Sequence, residues 1–365
     1  MGGPLNIGVI GVGNISGQYF ASFQRLPGIR LVAVADRDES RARDAAIRQG
    51  VRALVIDDLL ADREIDAILN LTVPAVHVEL GTRVLGAGKH LYAEKPLGLS
   101  PAEAAPMLEL AAAKGLRVGS APDTVLGTGI QTARNVLDAG TIGAPVAAAA
   151  HWTAPGHELW HPAPAFYYQP GAGPLFDMGP YYVTSLVTLL GPVVRVSGMA
   201  TRSDRQRHVA TGSHAGDPIA VEVDTHVSAI LEHDGGVTST VTMSFEVWAT
   251  RTPLLEVYGT QGTIAVPDPN QFAGQVDVFA ASDREWKPVD VSAGYADAGR
   301  GYGLADMARA IETGRRHRAS GELALHVLEV MAAVLGASEE HGVVDIVTKV
   351  SRPDPVPLGV TPSTW

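Results

Sequence analysis

Short, continuous apolar blocks punctuate the first 120 residues, and amphipathic stretches fill the gaps between them. Residues 5–10 (LNIGVI) have the length and uniform apolarity of a strand buried on both faces. An amphipathic helix follows to about residue 26. Residues 29–35, 65–72, 90–94 and 116–120 repeat the strand pattern, with helices predicted over 39–50, from 74 to 87 and from 101 onwards. Ser100-Pro101-Ala102-Glu103 is a helix start with Ser as N-cap, Pro at the first position and Glu at the third. Such alternation predicts a doubly wound parallel sheet. The pattern then changes. Residues 221–233, 237–247, 254–259 and 263–266 alternate with period two, and Asp234-Gly235-Gly236 is a hairpin turn. Residues 203–218, rich in Arg, His, Gly and Ser, read as a mobile loop. The fold class is α/β, with a parallel-sheet domain over 1–122 and a second α/β domain carrying an antiparallel sheet over 123–365. A helix is predicted over 322–341, capped by Ser320 and carrying an apolar stripe.

Length and composition narrow the function. The chain has 365 residues, 46% hydrophobic and 18% charged, which suits two globular domains. Its 28 basic and 39 acidic side chains give a net charge of −11, which argues against nucleic acid or an anionic membrane as partner. No apolar run reaches the length of a membrane span, and no leader pattern precedes the first strand. Cysteine is absent, so disulfides and thiolate chemistry are excluded and a cytoplasmic location is expected.

The first strand runs into Gly11-Val12-Gly13-Asn14-Ile15-Ser16 and then a helix. Glycines at the first two fingerprint positions allow a tight turn and close approach of a pyrophosphate, with Asn14 and Ile15 at the helix start. Asp36 ends the second strand 23 residues after Gly13, near the roughly 20-residue offset of an acid that binds a ribose 2′-hydroxyl. Its carboxylate favours NAD, while Arg37 beside it leaves NADP possible; Asp36 can also cap the helix over 39–50. Thr72 lies at a strand's C-terminal end, Pro74 opens the next helix, and His77 sits in its first turn, at the edge of the cofactor crevice. Glu94-Lys95-Pro96 leaves the strand over 90–94. Proline disfavours helix at the residue before it, so Lys95 is held extended at the strand's end. There its amine can move a proton while a nicotinamide moves a hydride.

Gly11-x-Gly13-x-x-Ser16, Thr72-x-Pro74-x-x-His77 and Glu94-Lys95-Pro96, in this order and spacing, resemble the glucose–fructose oxidoreductase / inositol dehydrogenase / MocA family. The resemblance spans nearly the whole chain. It implies an N-terminal Rossmann domain and a C-terminal domain with a large, mostly antiparallel sheet. That sheet would carry homodimer or homotetramer contacts. It also implies oxidation of a secondary alcohol of a sugar, glycoside or cyclitol, or the reverse reduction, with Lys95 as catalytic lysine and Glu94 as a cofactor-contacting neighbour.

The second half supplies the substrate side. His157, Trp160 and His161 lie in a polar-aromatic loop that can stack on sugar faces and hydrogen-bond hydroxyls; the prolines around the two histidines argue against a helix, and no metal is expected. Asp123 follows the last strand of the first half. Asp177 and Gly179 match the family's D-x-G-x-H, but Tyr181 stands where the histidine would be. Asp177 and Tyr181, four apart, share a helical face. Since a phenol titrates near pH 10, Tyr181 is the poorer base and serves as orienting donor or co-acid, with Asp177 as hydroxyl acceptor. Two other readings compete: a glycoside-processing enzyme in which NAD is reduced only transiently, and a non-catalytic dinucleotide sensor.

Overall fold

A computed structural model describes residues 3–364. The chain forms two compact units. The first opens with β1 (Leu5–Ile10), α1 (Ser16–Phe23), β2 (Ile29–Ala35), α2 (Glu39–Gln49), β3 (Arg52–Ala53), α3 (Ile56–Ala61), β4 (Ala67–Asn70), α4 (His77–Gly86), β5 (His90–Ala93), α5 (Pro101–Ala113) and β6 (Val118–Ser120). Its six strands are parallel in the order β3-β2-β1-β4-β5-β6. The apolar blocks are its core: Ile7, Val9, Ile68, Leu69, Leu91 and Tyr92 are sealed from solvent. The chain leaves β1 on one side and returns through β4 on the other. This reversal opens a crevice at the strands' C-terminal ends, where ligands bind in open α/β sheets. Ser100 caps α5 through the Glu103 amide at 3.2 Å, as its spacing implied. Asp38, rather than Asp36, caps α2, accepting from the Ser40 and Arg41 amides.

The second unit takes most of α6 (Thr128–Asp138), then β7 (Pro145–Thr153), α7 (Gly173–Leu190), β8 (Val193–Thr201), β9 (Arg207–His208), β10 (Pro218–Ile219), β11 (His226–His233), β12 (Thr238–Ser244), β13 (Leu255–Gly259), β14 (Gly262–Val266), β15 (Val276–Ala280) and β16 (Trp286–Val289). α8 (Tyr302–Thr313) belongs to the first unit, α9 (Gly321–Glu340) passes from the first to the second, and β17 (Val343–Asp345) completes the second. Its nine-stranded sheet runs β16-β15-β14-β13-β7-β12-β11-β8-β17, antiparallel except for β12 and β7. α7 lies against β7, β11 and β12.

Two expectations change. The single boundary at 122/123 does not describe the division, because residues 292–328 and 353–364 fold with the first unit. The free edge of β6 draws this return: Ser120 donates to the Ala319 carbonyl at 3.1 Å, and Gly119 bridges Ser320. Residues 203–218 are not simply a loop. They contain β9, which pairs with β10 at their end, and the buried Arg207, which internal ion pairs hold in place. Among the described residues, α9 alone is long and apolar enough to cross a membrane, and half of its apolar window is buried within the protein.

Candidate active site

The turn after β1 is shaped by two glycines for different reasons. Gly11 has φ +95°, and a Cβ there would come within 2.8 Å of the Leu71 backbone. Nothing in the protein requires Gly13: a Cβ there would meet no atom within 4 Å. Its bareness leaves the turn open towards solvent, which fits a diphosphate that must approach backbone amides closely. Ile15 precedes α1 without a side-chain cap, and the Ser16 and Gln18 amides turn back to the Gly13 and Ile15 carbonyls at 3.2 and 3.1 Å. Asn14 is exposed and Ile15 half-buried on this rim. Ser16, at the third fingerprint position, is buried and donates to the Gly13 carbonyl at 2.7 Å, tightening the turn. Asp36 accepts from the Val12 amide at 2.8 Å and the Asp38 amide at 2.9 Å. One carboxylate thus ties the ends of β1 and β2 together, and its remaining lone pairs can receive ribose hydroxyls. Arg37 is exposed beside it. The residues present therefore fit a dinucleotide.

Lys95 stands at the C-terminal end of β5, half-buried. Its backbone is fixed from three directions. Glu94 donates its amide to the Asn70 carbonyl at 2.9 Å on β4. One Glu94 carboxylate oxygen accepts the Lys95 amide at 3.0 Å, and the other accepts the Tyr19 hydroxyl at 2.8 Å. Tyr19 is wholly buried on α1, the helix of the glycine turn, so that helix and the lysine are joined through one carboxylate. Burial, then the Glu94 charge, holds the Tyr19 phenol well above its usual range, so it remains a donor. Glu94, expected to touch cofactor, engages both carboxylate oxygens within the protein.

His77 also differs from expectation. It is buried, with Nδ1 at 2.8 Å from the Pro96 carbonyl and Nε2 at 2.9 Å from the Thr72 carbonyl. Both nitrogens face backbone carbonyls, and a neutral ring donates to one of the two, so the buried ring braces the lysine turn against the end of β4 and does not reach into the crevice. Burial lowers its pKa, and the Lys95 charge acts in the same direction. Thr72 is half-buried, with its hydroxyl on Asn70 Oδ1 at 2.6 Å. Pro74 begins a single 3₁₀ turn, Pro74–Val76, ahead of α4.

Asp123 is a clear correction. It is wholly buried and accepts from the Gly301 amide at 2.9 Å and the Gly303 amide at 3.0 Å, with the Arg300 guanidinium 3.9 Å away. It caps the start of α8 from a distant part of the chain, and burial pushes its pKa up. No face is left for substrate.

The second unit brings the loop and helix residues together. Among the described residues of α7, Asp177 alone is not buried. Its Oδ2 lies 2.7 Å from His157 Nε2, and His157 Nδ1 lies 3.2 Å from the Trp160 indole nitrogen. Tyr181, one turn on, is 5% exposed and presents little surface. His161 is half-buried, with Nδ1 accepting the Ala163 amide at 3.0 Å. The loop is anchored from beneath. Arg207 pairs with Glu158 and Glu246, each at 2.7 Å, and the Tyr168 hydroxyl donates to Glu158. Arg207 and Glu158 side chains are 1% and 2% exposed. Arg207→Met should therefore cost about 3 kcal/mol, because it removes the main counter-charge of the buried Glu158, which keeps Arg205 at 3.4 Å and the Tyr168 hydroxyl; the urea midpoint measures it. This network, and Tyr19, are functional supports that sequence patterning missed: their partners lie 49 and 75 residues away.

A glycine turn open to a diphosphate, an acid at the end of β2 and a lysine at the end of β5 together define a nicotinamide-dependent oxidoreductase. A family model described as "Oxidoreductase family, NAD-binding Rossmann fold" matches residues 5–121, and "GFO/IDH/MocA C-terminal domain" matches 130–265. The chain belongs to the Gfo/Idh/MocA family. It is 35% identical to a dTDP-3,4-didehydro-2,6-dideoxy-alpha-D-glucose 3-reductase of Streptomyces violaceoruber over 59% of this chain and 63% of that relative's length. It is 27% identical to the enzyme of the same name from Streptomyces antibioticus, over 84% of this chain and 97% of that one. Human trans-1,2-dihydrobenzene-1,2-diol dehydrogenase is 29% identical over 73% of this chain and 75% of its own. The solved apo levoglucosan dehydrogenase shares the fold, with TM-score 0.82 at 20% identity over 95% of this chain and 100% of that one.

Proposed function

We propose that this protein interconverts a secondary alcohol and a ketone on a sugar, glycoside or cyclitol, using NAD, with Lys95 as the group that accepts or returns the hydroxyl proton. The observation that carries this is the Tyr19–Glu94–Lys95 connection, which ties the lysine's backbone to the helix of the fingerprint turn. Gly11, Gly13, Asn14 and Ile15 would hold the diphosphate and Asp36 the adenine ribose; the bound cofactor supplies the hydride acceptor. For alcohol oxidation Lys95 must be neutral when the hydroxyl proton leaves. Asp177 and Tyr181 are assigned to substrate hydroxyls and Trp160 and His161 to the sugar ring. The names of the dTDP-sugar reductases support a carbohydrate-derived substrate.

The decisive experiment is a panel of monosaccharides, anhydrosugars, glycosides and inositols, each with NAD and with NADP. Accumulation of reduced cofactor supports a dehydrogenase. Product formation without accumulation supports the transient-redox enzyme, and binding without either supports a sensor. NAD is preferred on Asp36, whose charge repels a 2′-phosphate. Asp36→Ser should shift the NADP-to-NAD affinity ratio towards NADP by about tenfold or more, roughly 1.4 kcal/mol; titration calorimetry with both cofactors checks it. We further propose a cytosolic homodimer or homotetramer through the nine-stranded sheet, which exposes Met199 and Ile230. The net charge of −11 leaves nucleic acid and membrane outside this proposal.

A further inference from the structure

We propose that His157 is a positioning residue locked in one tautomer, coupling the exposed Trp160 indole to the Asp177 carboxylate. The pair thereby selects a ring with an apolar C–H face for the indole and a hydroxyl for the acid. This rests on the carbohydrate assignment of the same site.

The lock follows from donor chemistry. An indole N–H can only donate, so the 3.2 Å contact makes His157 Nδ1 an acceptor. In a neutral ring the proton is then on Nε2, where it points at Asp177 Oδ2 at 2.7 Å. A proton on Nδ1 would set two N–H groups against each other and lose the indole bond. The opposite tautomer would also turn a lone pair on the carboxylate. Both ends of the imidazole thus choose the same state.

The surroundings leave the ring little freedom. Tyr167 and Phe245 lie 4.3 and 4.7 Å from its centroid. The His157 amide donates to the Tyr168 hydroxyl at 3.2 Å, above the buried Glu158–Arg207 pair. His157 itself is 6% exposed, so it has no surface of its own to offer a ligand. Its two neighbours do. Trp160 is 58% exposed and has spent its N–H, so it can contribute only its ring face. Asp177 is the only residue of the otherwise buried α7 to escape burial. Helix, loop and ring are therefore arranged to present one apolar face and one fixed acceptor.

The test is long-range ¹H–¹⁵N spectroscopy of the ligand-free protein at neutral pH, with Trp160→Phe, His157→Gln and His157→Phe as variants. The expected result is a pure neutral Nε2–H ring for His157 in the parent, and in Trp160→Phe an Nδ1 resonance moved to that of an acceptor without a donor while Asp177 keeps the proton on Nε2. An Nδ1–H ring or an imidazolium in the parent, or an unchanged spectrum in Trp160→Phe, overturns the lock. Turnover of levoglucosan, D-glucose and myo-inositol with NAD supplies the second readout. Gln can donate from the Nε2 position, so His157→Gln should stay within a few-fold of the parent. His157→Phe should lose about tenfold or more in kcat, the scale of one charge-assisted hydrogen bond, with NAD affinity unchanged. Equal turnover in His157→Phe and the parent overturns the positioning role. If the parent turns over none of the three sugars, the redox proposal is what fails for them, and the spectra still decide the lock.

Discussion

Replacing Lys95 with Met should leave NAD affinity within about twofold and lower turnover by roughly 10²–10⁴, the range of a lost general acid–base. Methionine keeps the length and apolar stem of lysine and removes only the amine. The main-chain bond from residue 95 to Glu94 and the Tyr19 bond beyond it do not involve that amine, so the turn should keep its place. Cofactor binding by calorimetry and single-turnover reduction of NAD separate the two effects. Normal turnover would remove Lys95 from the mechanism. The comparison is Tyr181→Phe, expected to lose no more than about tenfold, the scale of one hydrogen bond. Tyr181 is 5% exposed, and it sits in a helix already braced by packing on nearly every side. Equal losses would mean that the proton passes through the phenol and not the amine.

The parallel sheet and the position of Lys95 at a strand's end are legible in the sequence because their signals are local. A continuous apolar block followed by a glycine turn can hardly be anything but a buried strand entering a helix. Lys95 was placed by the proline one residue on. Asp123 shows where such reasoning ends. It follows a strand's C-terminal end, where ligand contacts are common, yet its partners are amides 178 and 180 residues later. A carboxylate that caps a remote helix and one that binds a hydroxyl look identical in one dimension. The stretch over 203–218 failed for the same reason. Arginine among glycine and serine reads as solvated loop, until Glu158 and Glu246 each accept from one terminal nitrogen of its guanidinium. His77 shows a subtler error: its spacing marked the right turn, but its ring points into the backbone it was expected to look out from.

Three of the candidate site residues share a pattern that bears on how the site is built. Glu94, His77 and His157 were all assigned to ligands, and each spends its polar atoms on protein. The groups they hold are Lys95, its turn, and Asp177. Precise placement of a few reacting groups needs a shell of buried polar side chains, each hydrogen-bonded because an unpaired one would be costly. Residue types that catalyse and residue types that position are the same, so composition cannot separate them.

The glycine turn gives the sharpest division between folding and function. Gly11→Ala should destabilise the protein by at least about 1–3 kcal/mol from the backbone conformation alone, since φ is +95°. The added carbon would also stand 2.8 Å from the Leu71 carbonyl and 3.0 Å from the Thr72 amide, closer than carbon atoms tolerate, and these are backbone atoms that cannot swing away. β1 and β4 are hydrogen-bonded neighbours along their length, so the overlap is relieved only by parting the central pair of the sheet. Thermal unfolding should show a lower midpoint, and NAD affinity should fall with it. Gly13→Ala provides the contrast. No protein atom lies within 4 Å of the new methyl group, so stability should be unchanged within about 0.5 kcal/mol, the range of an unstrained exposed site. NAD affinity should nevertheless drop by about tenfold or more, because the methyl group occupies the approach of the diphosphate. A stable Gly11→Ala, or a Gly13→Ala that binds NAD like the parent, would show that this turn is not where the dinucleotide lies.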